Sequence, residues 1–223
     1  MSFYPQSRAR AALSGGLLGK VFGLLAFSLM FAVVGGWVGA RVVTGGGMLM
    51  LLVVAEFGLI FGIHRAREKE GLNMALLYAF TFVSGMTIGP IIASYIGAGM
   101  GVVVLQAVAT TAAMTVGLSA YALTTRRRFA GAGPYLFAGL IGLVVMSLLS
   151  LFIGGSVLSV VIGFLGAMLF SALLVYDVQR AKTAQDTMGN AVVITLGIYL
   201  DIVNLFLYIL RILSYLQCGG RRS

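Results

Sequence analysis

The chain has 223 residues, of which 60% are hydrophobic and only 9% are charged. Soluble domains average roughly 45–50% apolar and about 25% charged residues, so this composition excludes a soluble fold and predicts a polytopic membrane protein. The net charge of +9 does not indicate nucleic acid as a partner, because the basic residues form short clusters between apolar runs and no single stripe.

Seven apolar segments are each long enough to cross a bilayer, since about 20 residues of helix span its core. The first of them is longer than the apolar core of a signal peptide and has no evident cleavage site, so we interpret it as a retained span. We predict an all-α fold, a single integral membrane domain over residues 1–223, with spans near 17–42, 47–64, 72–96, 100–124, 134–153, 156–179 and 189–215.

The lysines and arginines are distributed unequally between the two sides of the predicted bundle. Only Arg41 and the terminal Arg221 and Arg222 fall on one side. The other side is richer in basic residues, and the positive-inside rule places that side, with the N-terminus, in the cytoplasm. A six-span alternative with a re-entrant last segment would bring Arg221 and Arg222 inside, but 189–215 is long enough to span. The richer side carries eleven basic residues: Arg8, Arg10, Lys20, Arg65, Arg67, Lys69, Arg126, Arg127, Arg128, Arg180 and Lys182.

Cysteine and histidine occur once each, as Cys218 and His64. A single cysteine excludes an intramolecular disulfide. One cysteine and one histidine do not provide a cluster of metal ligands. We therefore predict no resident cofactor. No span offers an obvious dimer face beyond its glycines, so we expect a monomer in the lipid bilayer.

Two of the six acidic residues, Asp177 and Asp201, lie within the last two apolar segments. An ionisable group inside a membrane is costly and indicates a functional site. The polar stretch 180–190 between them predicts a helix-to-helix turn, so on an antiparallel hairpin the two carboxylates should lie at similar depth.

A polar face continues along the last span from Asp201 through Asn204 and Tyr208 to Arg211, at spacings of three, seven and ten residues. Residues at this spacing share one side of a helix. Such a face should point into the bundle, which makes the last helix central. Alternatively, Asn204 and Tyr208 form a polar seam that only fixes helix register.

Two further charged residues, Glu56 and Arg67, extend this pattern to two depths in the membrane. Arg67 lies eleven residues after Glu56, and Arg211 lies ten residues after Asp201 on a span of opposite direction. If Arg67 lies at the depth of the aspartates, Glu56 and Arg211 share a second depth, and opposite charges paired across helices are tolerated inside a membrane. The alternative is that Arg67 only sets topology in a loop.

The aspartates are expected to act as a coupled pair. Two carboxylates about 4 Å apart at an effective dielectric of ~20 repel by about 4 kcal/mol. The pair should share a proton over part of the accessible pH range, and an arginine could bind a carboxylate released from it. An aspartate pair with a competing arginine has two stable states, which suits a switch. The carboxylate oxygens of the pair are also ligands that suit Ca²⁺.

These residues resemble the signature of the transmembrane Bax-inhibitor-motif family. The resemblance rests on Tyr176-Asp177 in the run 171–179, on Tyr-Leu-Asp-x-x-Asn-Leu-Phe over 199–206 followed by Leu210-Arg211, and on Phe-Val-Ser-Gly over 82–85, which matches bacterial YetJ-type members. It covers essentially the whole chain.

The resemblance implies a seven-helix fold with a central last helix and a pH-sensitive calcium leak across a bacterial inner membrane. It assigns a di-aspartyl pH sensor to Asp177 and Asp201, and an arginine latch to Arg67, with Arg65 as the alternative. Glu56 and Arg211 also match family positions.

Other functions compete with a calcium leak. Intramembrane aspartyl proteases share the Tyr-Asp motif, but their Gly-x-Gly-Asp motif would need glycines where Ile198 and Leu200 stand, so we do not expect an enzyme. A retinal photoreceptor would need a lysine in the last span, which has none. A proton-coupled Ca²⁺ or cation exchanger stays open, because the same carboxylates could exchange protons for cations.

Overall fold

A computed structural model describes residues 16–127, 129–154 and 156–219. Within these ranges the chain forms seven long helices, one short 3-10 helix at Ala130–Ala132 and no strand. The long helices are α1 Leu17–Val42, α2 Gly46–Arg65, α3 Glu70–Gly97, α4 Gly101–Thr124, α5 Gly133–Ile153, α6 Ser156–Thr183 and α7 Met188–Gly219.

Each of the seven helices is long and apolar enough to cross a membrane. The all-α fold with seven membrane helices is thereby confirmed, and the ends of the predicted spans lie within about four residues of the observed ends. The orientation of the chain stays a prediction, and Arg8, Arg10, Arg128, Arg221 and Arg222, which contributed to it, lie outside the described residues.

The helices pack as two compact units. The first comprises the described part of residues 1–91 with Ala181–Leu196, and the second comprises Ile92–Arg180 with the described part of residues 197–223. Helix α7 contributes to both units, and a larger share of its most apolar stretch is buried than in any other described helix. This agrees with the prediction that the last helix is the central one.

In the first unit, α1 and α3 approach until their backbones touch. A Cβ added at Gly35 would overlap the backbone of Phe82, and one added at Gly39 would overlap that of Met86. Small residues permit such contacts in a membrane, where lipid provides no hydrophobic drive for helix association. The glycines of α1 therefore serve packing.

In the second unit, apolar side chains of α4, α6 and α7 form a buried cluster. Its most deeply buried members are Val103, Ala107, Ile162, Leu205 and Leu210. This cluster holds α6 against α7, which positions the two aspartates described next.

A candidate carboxylate pair on helices α6 and α7

Helices α6 and α7 run antiparallel in close contact along their length in the second unit. Gly166 lies beneath the ring of Tyr208, and Gly163 lies against Ile212. Nearer the turn, Asp177 Oδ2 lies against Gly197, where an added Cβ would overlap it. The three contacts define a single register for the hairpin.

This register brings the two predicted aspartates together with an offset of one helical turn. Asp177 lies opposite Gly197, which precedes Asp201 by four residues on the same face of α7. Four residues of helix correspond to ~6 Å along the axis. This offset concerns the backbones, because each helical side chain leans towards the N-terminus of its own helix and the two carboxylates therefore lean towards each other. The expectation that the two carboxylates lie at similar depth stays a prediction.

Among the described residues, few groups compensate the negative charges of Asp177 and Asp201. Asp201 is 5% exposed, and its Oδ2 is buried with no hydrogen-bond partner among the described residues. Asp177 has one ion pair, from its Oδ1 to Arg180 Nη1 at 3.9 Å. Since a buried carboxylate oxygen without a partner is costly, a proton held between the two carboxylates would lower the energy of the site.

Sequence reasoning missed Gly197 and Arg180 as neighbours of the pair. Arg180 follows Asp177 by three residues, which places it on the same helix face. Gly197 precedes Asp201 by one turn, and only its contact with Asp177 on the neighbouring helix distinguishes it from the other glycines.

Further along α7, the predicted polar face is held by partners in the second unit. Asn204 Nδ2 donates to the Leu200 carbonyl at 2.8 Å, within its own helix. Tyr208 stacks on Phe170 with ring centroids 5.7 Å apart. Arg211 Nη2 donates to Ser159 Oγ at 2.6 Å. All three predicted side chains are half-buried.

In the first unit, Glu56 of α2 is held by a hydroxyl of α3. Thr87 Oγ1 donates to Glu56 Oε1 at 2.6 Å and also lies 3.2 Å from the Val83 carbonyl. Glu56 is half-buried, so this hydrogen bond replaces water at one of its oxygens. Its predicted pairing with Arg211 stays a prediction.

Arg67 lies in the turn after α2 and contacts the beginning of α7. Its Nη2 donates to Asn190 Oδ1, and its backbone packs against Gly189. Asn190 is itself fixed, because its Nδ2 donates to the Gln185 carbonyl at 2.8 Å and its backbone N–H donates to Thr187 Oγ1 at 3.2 Å. The latch role of Arg67, like the alternative at Arg65, stays a prediction.

The carboxylate pair offers hard oxygen ligands in small number. Within the described ranges, no three His, Cys, Asp or Glu side chains come together as a metal site. Ca²⁺ takes six to eight oxygens, so Asp177 and Asp201 would supply only part of a coordination shell, with backbone oxygens or water supplying the rest. That donor set suits brief contact with a passing ion better than tight storage.

Comparison with known proteins identifies relatives over most of the chain. A sequence model of the family described as inhibitor of apoptosis-promoting Bax1 matches residues 15–218. An uncharacterized protein of Campylobacter jejuni is 34% identical over 87% of this chain and 86% of its own length. An uncharacterized membrane protein of Vibrio cholerae is 30% identical over 75% of both chains.

A eukaryotic relative is found as well. Protein lifeguard 4 of the mouse is 32% identical over 75% of this chain and 68% of its own length. Together with the seven apolar helices, the likeness to a protein named as a membrane protein identifies an integral membrane protein.

Proposed function

The chain belongs to the family of inhibitors of apoptosis-promoting Bax1, and on that premise we propose that it is a pH-sensitive calcium leak channel. Asp177 and Asp201 are its proton sensor, Arg67 is its latch, and Ca²⁺ is the transported ion. Its partners are Ca²⁺, protons and the lipid bilayer. It acts as a monomer in a bacterial inner membrane with its N-terminus in the cytoplasm.

The observation that carries the proposal is the placement of two carboxylates on the facing helices α6 and α7. Asp201 Oδ2 is buried without a hydrogen-bond partner in the described chain, and Asp177 Oδ2 lies against Gly197, which precedes Asp201 by one turn on α7. With one shared proton the pair carries a single negative charge, whereas with none it carries two that repel. Proton loss therefore changes the force between two adjacent helices.

This repulsion is large enough to move a two-state equilibrium. If the two carboxylates approach to about 4 Å at an effective dielectric of ~20, it amounts to about 4 kcal/mol. Shifting a conformational ratio from 1:99 to 99:1 takes about 5.5 kcal/mol, so the pair supplies most of a complete switch. In the proposal, Arg67 supplies a competing partner for a carboxylate that leaves the pair.

The test is Ca²⁺ influx into liposomes that contain the purified protein, measured from pH 6 to pH 8. The native chain should pass Ca²⁺ with a pH dependence that flattens in Asp177→Asn and in Asp201→Asn. Asp186→Asn is the matched control, because Asp186 is exposed and pairs with Lys20 at 2.9 Å. Absence of flux at every pH in the native protein would refute the leak.

A proton-coupled Ca²⁺ or cation exchanger is the second candidate, favoured by two carboxylates on facing helices, of which that of Asp201 is buried. An exchanger moves Ca²⁺ against its gradient when a proton gradient is imposed, whereas a leak responds to pH itself. Liposomes with equal Ca²⁺ on both sides and a pH step across the membrane separate the two. Net Ca²⁺ accumulation would identify the exchanger, and none is expected for the leak.

A further inference from the structure

A groove of about 530 Å³ opens on the second unit between α4, α5 and α6. Its walls are almost entirely apolar and include Met114 and Tyr121 from α4 and Phe164 and Ala172 from α6. Its one polar wall residue on α6, Ser171, directs its hydroxyl to the Ala167 carbonyl at 2.7 Å. The groove therefore offers a ligand apolar contact along its walls.

One end of the groove lies at the loop between α4 and α5. Phe129 and Ala132, which line that end, belong to this loop and to the 3-10 helix that follows it. From there the α6 wall extends from Val175 back to Phe164, eleven residues or ~16 Å of helix. One leaflet of a bilayer core is about 15 Å deep, so the groove has the length of a lipid chain within one leaflet.

The loop end of the groove is positively charged. Arg126 and Arg127, both exposed, stand immediately before Phe129 with one residue between. Tyr121, 45% exposed, lines the same end and is a residue type found at the headgroup level of membranes. Basic residues beside an apolar channel between membrane helices are the pattern that holds anionic lipid headgroups.

The loop that carries these arginines is fixed to α6 by one side chain. Gln179 Nε2 donates to the Arg127 carbonyl at 2.8 Å, and Gln179 Oε1 accepts from the Phe129 backbone N–H at 3.0 Å. In addition, the Arg127 backbone N–H donates to Thr125 Oγ1 at 3.3 Å. The backbone that carries the arginines is thereby held beside the groove before any ligand arrives, which lowers the entropy cost of binding.

We propose that this groove binds an anionic phospholipid, with one acyl chain along α4 and α6 and the headgroup on Arg126 and Arg127. The positive charge of the two arginines favours an anionic lipid over a zwitterionic one. The length of the apolar groove favours a lipid over a free phosphate. The site uses neither Asp177, Asp201 nor Arg67 as a ligand contact, so its lipid binding can be measured separately from Ca²⁺ flux.

The experiment is native mass spectrometry of the purified full chain, titrated with phosphatidylglycerol or with phosphatidylethanolamine of the same acyl chains. The native protein should bind one molecule of phosphatidylglycerol in preference to phosphatidylethanolamine. Arg126→Gln/Arg127→Gln should weaken phosphatidylglycerol binding roughly 30-fold, from two cationic contacts, and change phosphatidylethanolamine binding little. Arg65→Gln/Lys69→Gln removes two exposed charges elsewhere and should bind as the native protein does.

A second variant tests the groove itself. Ala172→Trp fills the groove from an exposed wall position, whereas Ala112→Trp places the same side chain at an exposed position of α4 that does not line the groove. Binding of both lipids should fall in the first variant and persist in the second. Glycerol phosphate, which has no acyl chain, should not compete.

Three results would overturn the proposal. The native protein could show no preference for phosphatidylglycerol. Ala172→Trp could bind phosphatidylglycerol as the native chain does, which would leave only surface attraction to the arginines. Finally, the native protein could be a lipid-free dimer that Ala172→Trp dissociates, which would identify a second copy of the chain as the occupant.

Discussion

Gly197→Ala is the substitution that should most selectively disturb the carboxylate pair. The new methyl group would overlap Asp177 Oδ2, which sits at the far end of a short, rotatable side chain. The carboxylate has to move by roughly 1 Å to reach an ordinary contact distance. We expect the protein to fold, with the Asp177 carboxylate displaced from the face of α7 that carries Asp201.

The size of the effect follows from the distance dependence of the repulsion. If the separation grows from about 4 to about 5 Å at an effective dielectric of ~20, the repulsion falls by about 0.8 kcal/mol. This corresponds to a shift of roughly half a pH unit. Weaker repulsion lets the shared proton leave at lower pH, so the pH midpoint of Ca²⁺ flux should fall by that amount.

The assay is Ca²⁺ flux in liposomes at closely spaced pH values, with Gly117→Ala as the matched control. Gly117 lies within α4 and has open space where a Cβ would stand, so its replacement should leave the midpoint unchanged. If Gly197→Ala folds and its midpoint equals that of the native protein, the contact between Asp177 and Gly197 does not set the pH response.

Three predictions concern stability, measured by thermal unfolding in detergent. Asp201→Asn should raise the unfolding temperature more at pH 8 than at pH 6, because the neutral amide removes a charge that is buried without a hydrogen-bond partner at one oxygen; an equal change at both pH values would contradict this. Thr87→Val should lower the free energy of unfolding by about 1–3 kcal/mol because Glu56 loses its donor, whereas Thr87→Ser should retain most of it. Gly39→Ala should destabilise by about 1–3 kcal/mol or more, since its Cβ meets the backbone of α3, and Gly58→Ala, which has open space, should not.

The helices could be predicted from the sequence because bilayer thickness fixes the length of an apolar span. The sequence also predicted the break between α6 and α7 and the presence of one aspartate on each of these helices. The exact register was not: the sequence predicts a turn within 180–190, whereas the structure shows that α6 ends at Thr183 and α7 begins at Met188. Which residue of α7 faces Asp177 depends on these exact limits, and the structure places Gly197 there.

The partners of the other charges were beyond reach for a different reason. The pairing of Glu56 with Arg211 stays a prediction, but the hydroxyl that each of them contacts, on Thr87 and Ser159 respectively, was not predicted. Hydroxyl residues are common in membrane helices and satisfy polar groups across helix contacts. Which of them faces a given charge depends on helix rotation, which a single sequence does not determine.

The most direct test of the central claim is a double-substitution cycle on the pair. Ca²⁺ flux between pH 6 and pH 8 is compared in the native chain, Asp177→Asn, Asp201→Asn and the double variant. If the two carboxylates form one proton sensor, either single substitution removes most of the pH dependence and the double variant removes little more. If instead each substitution removes a separate, additive part of the pH dependence, the aspartates titrate independently and the account of a coupled pair is wrong.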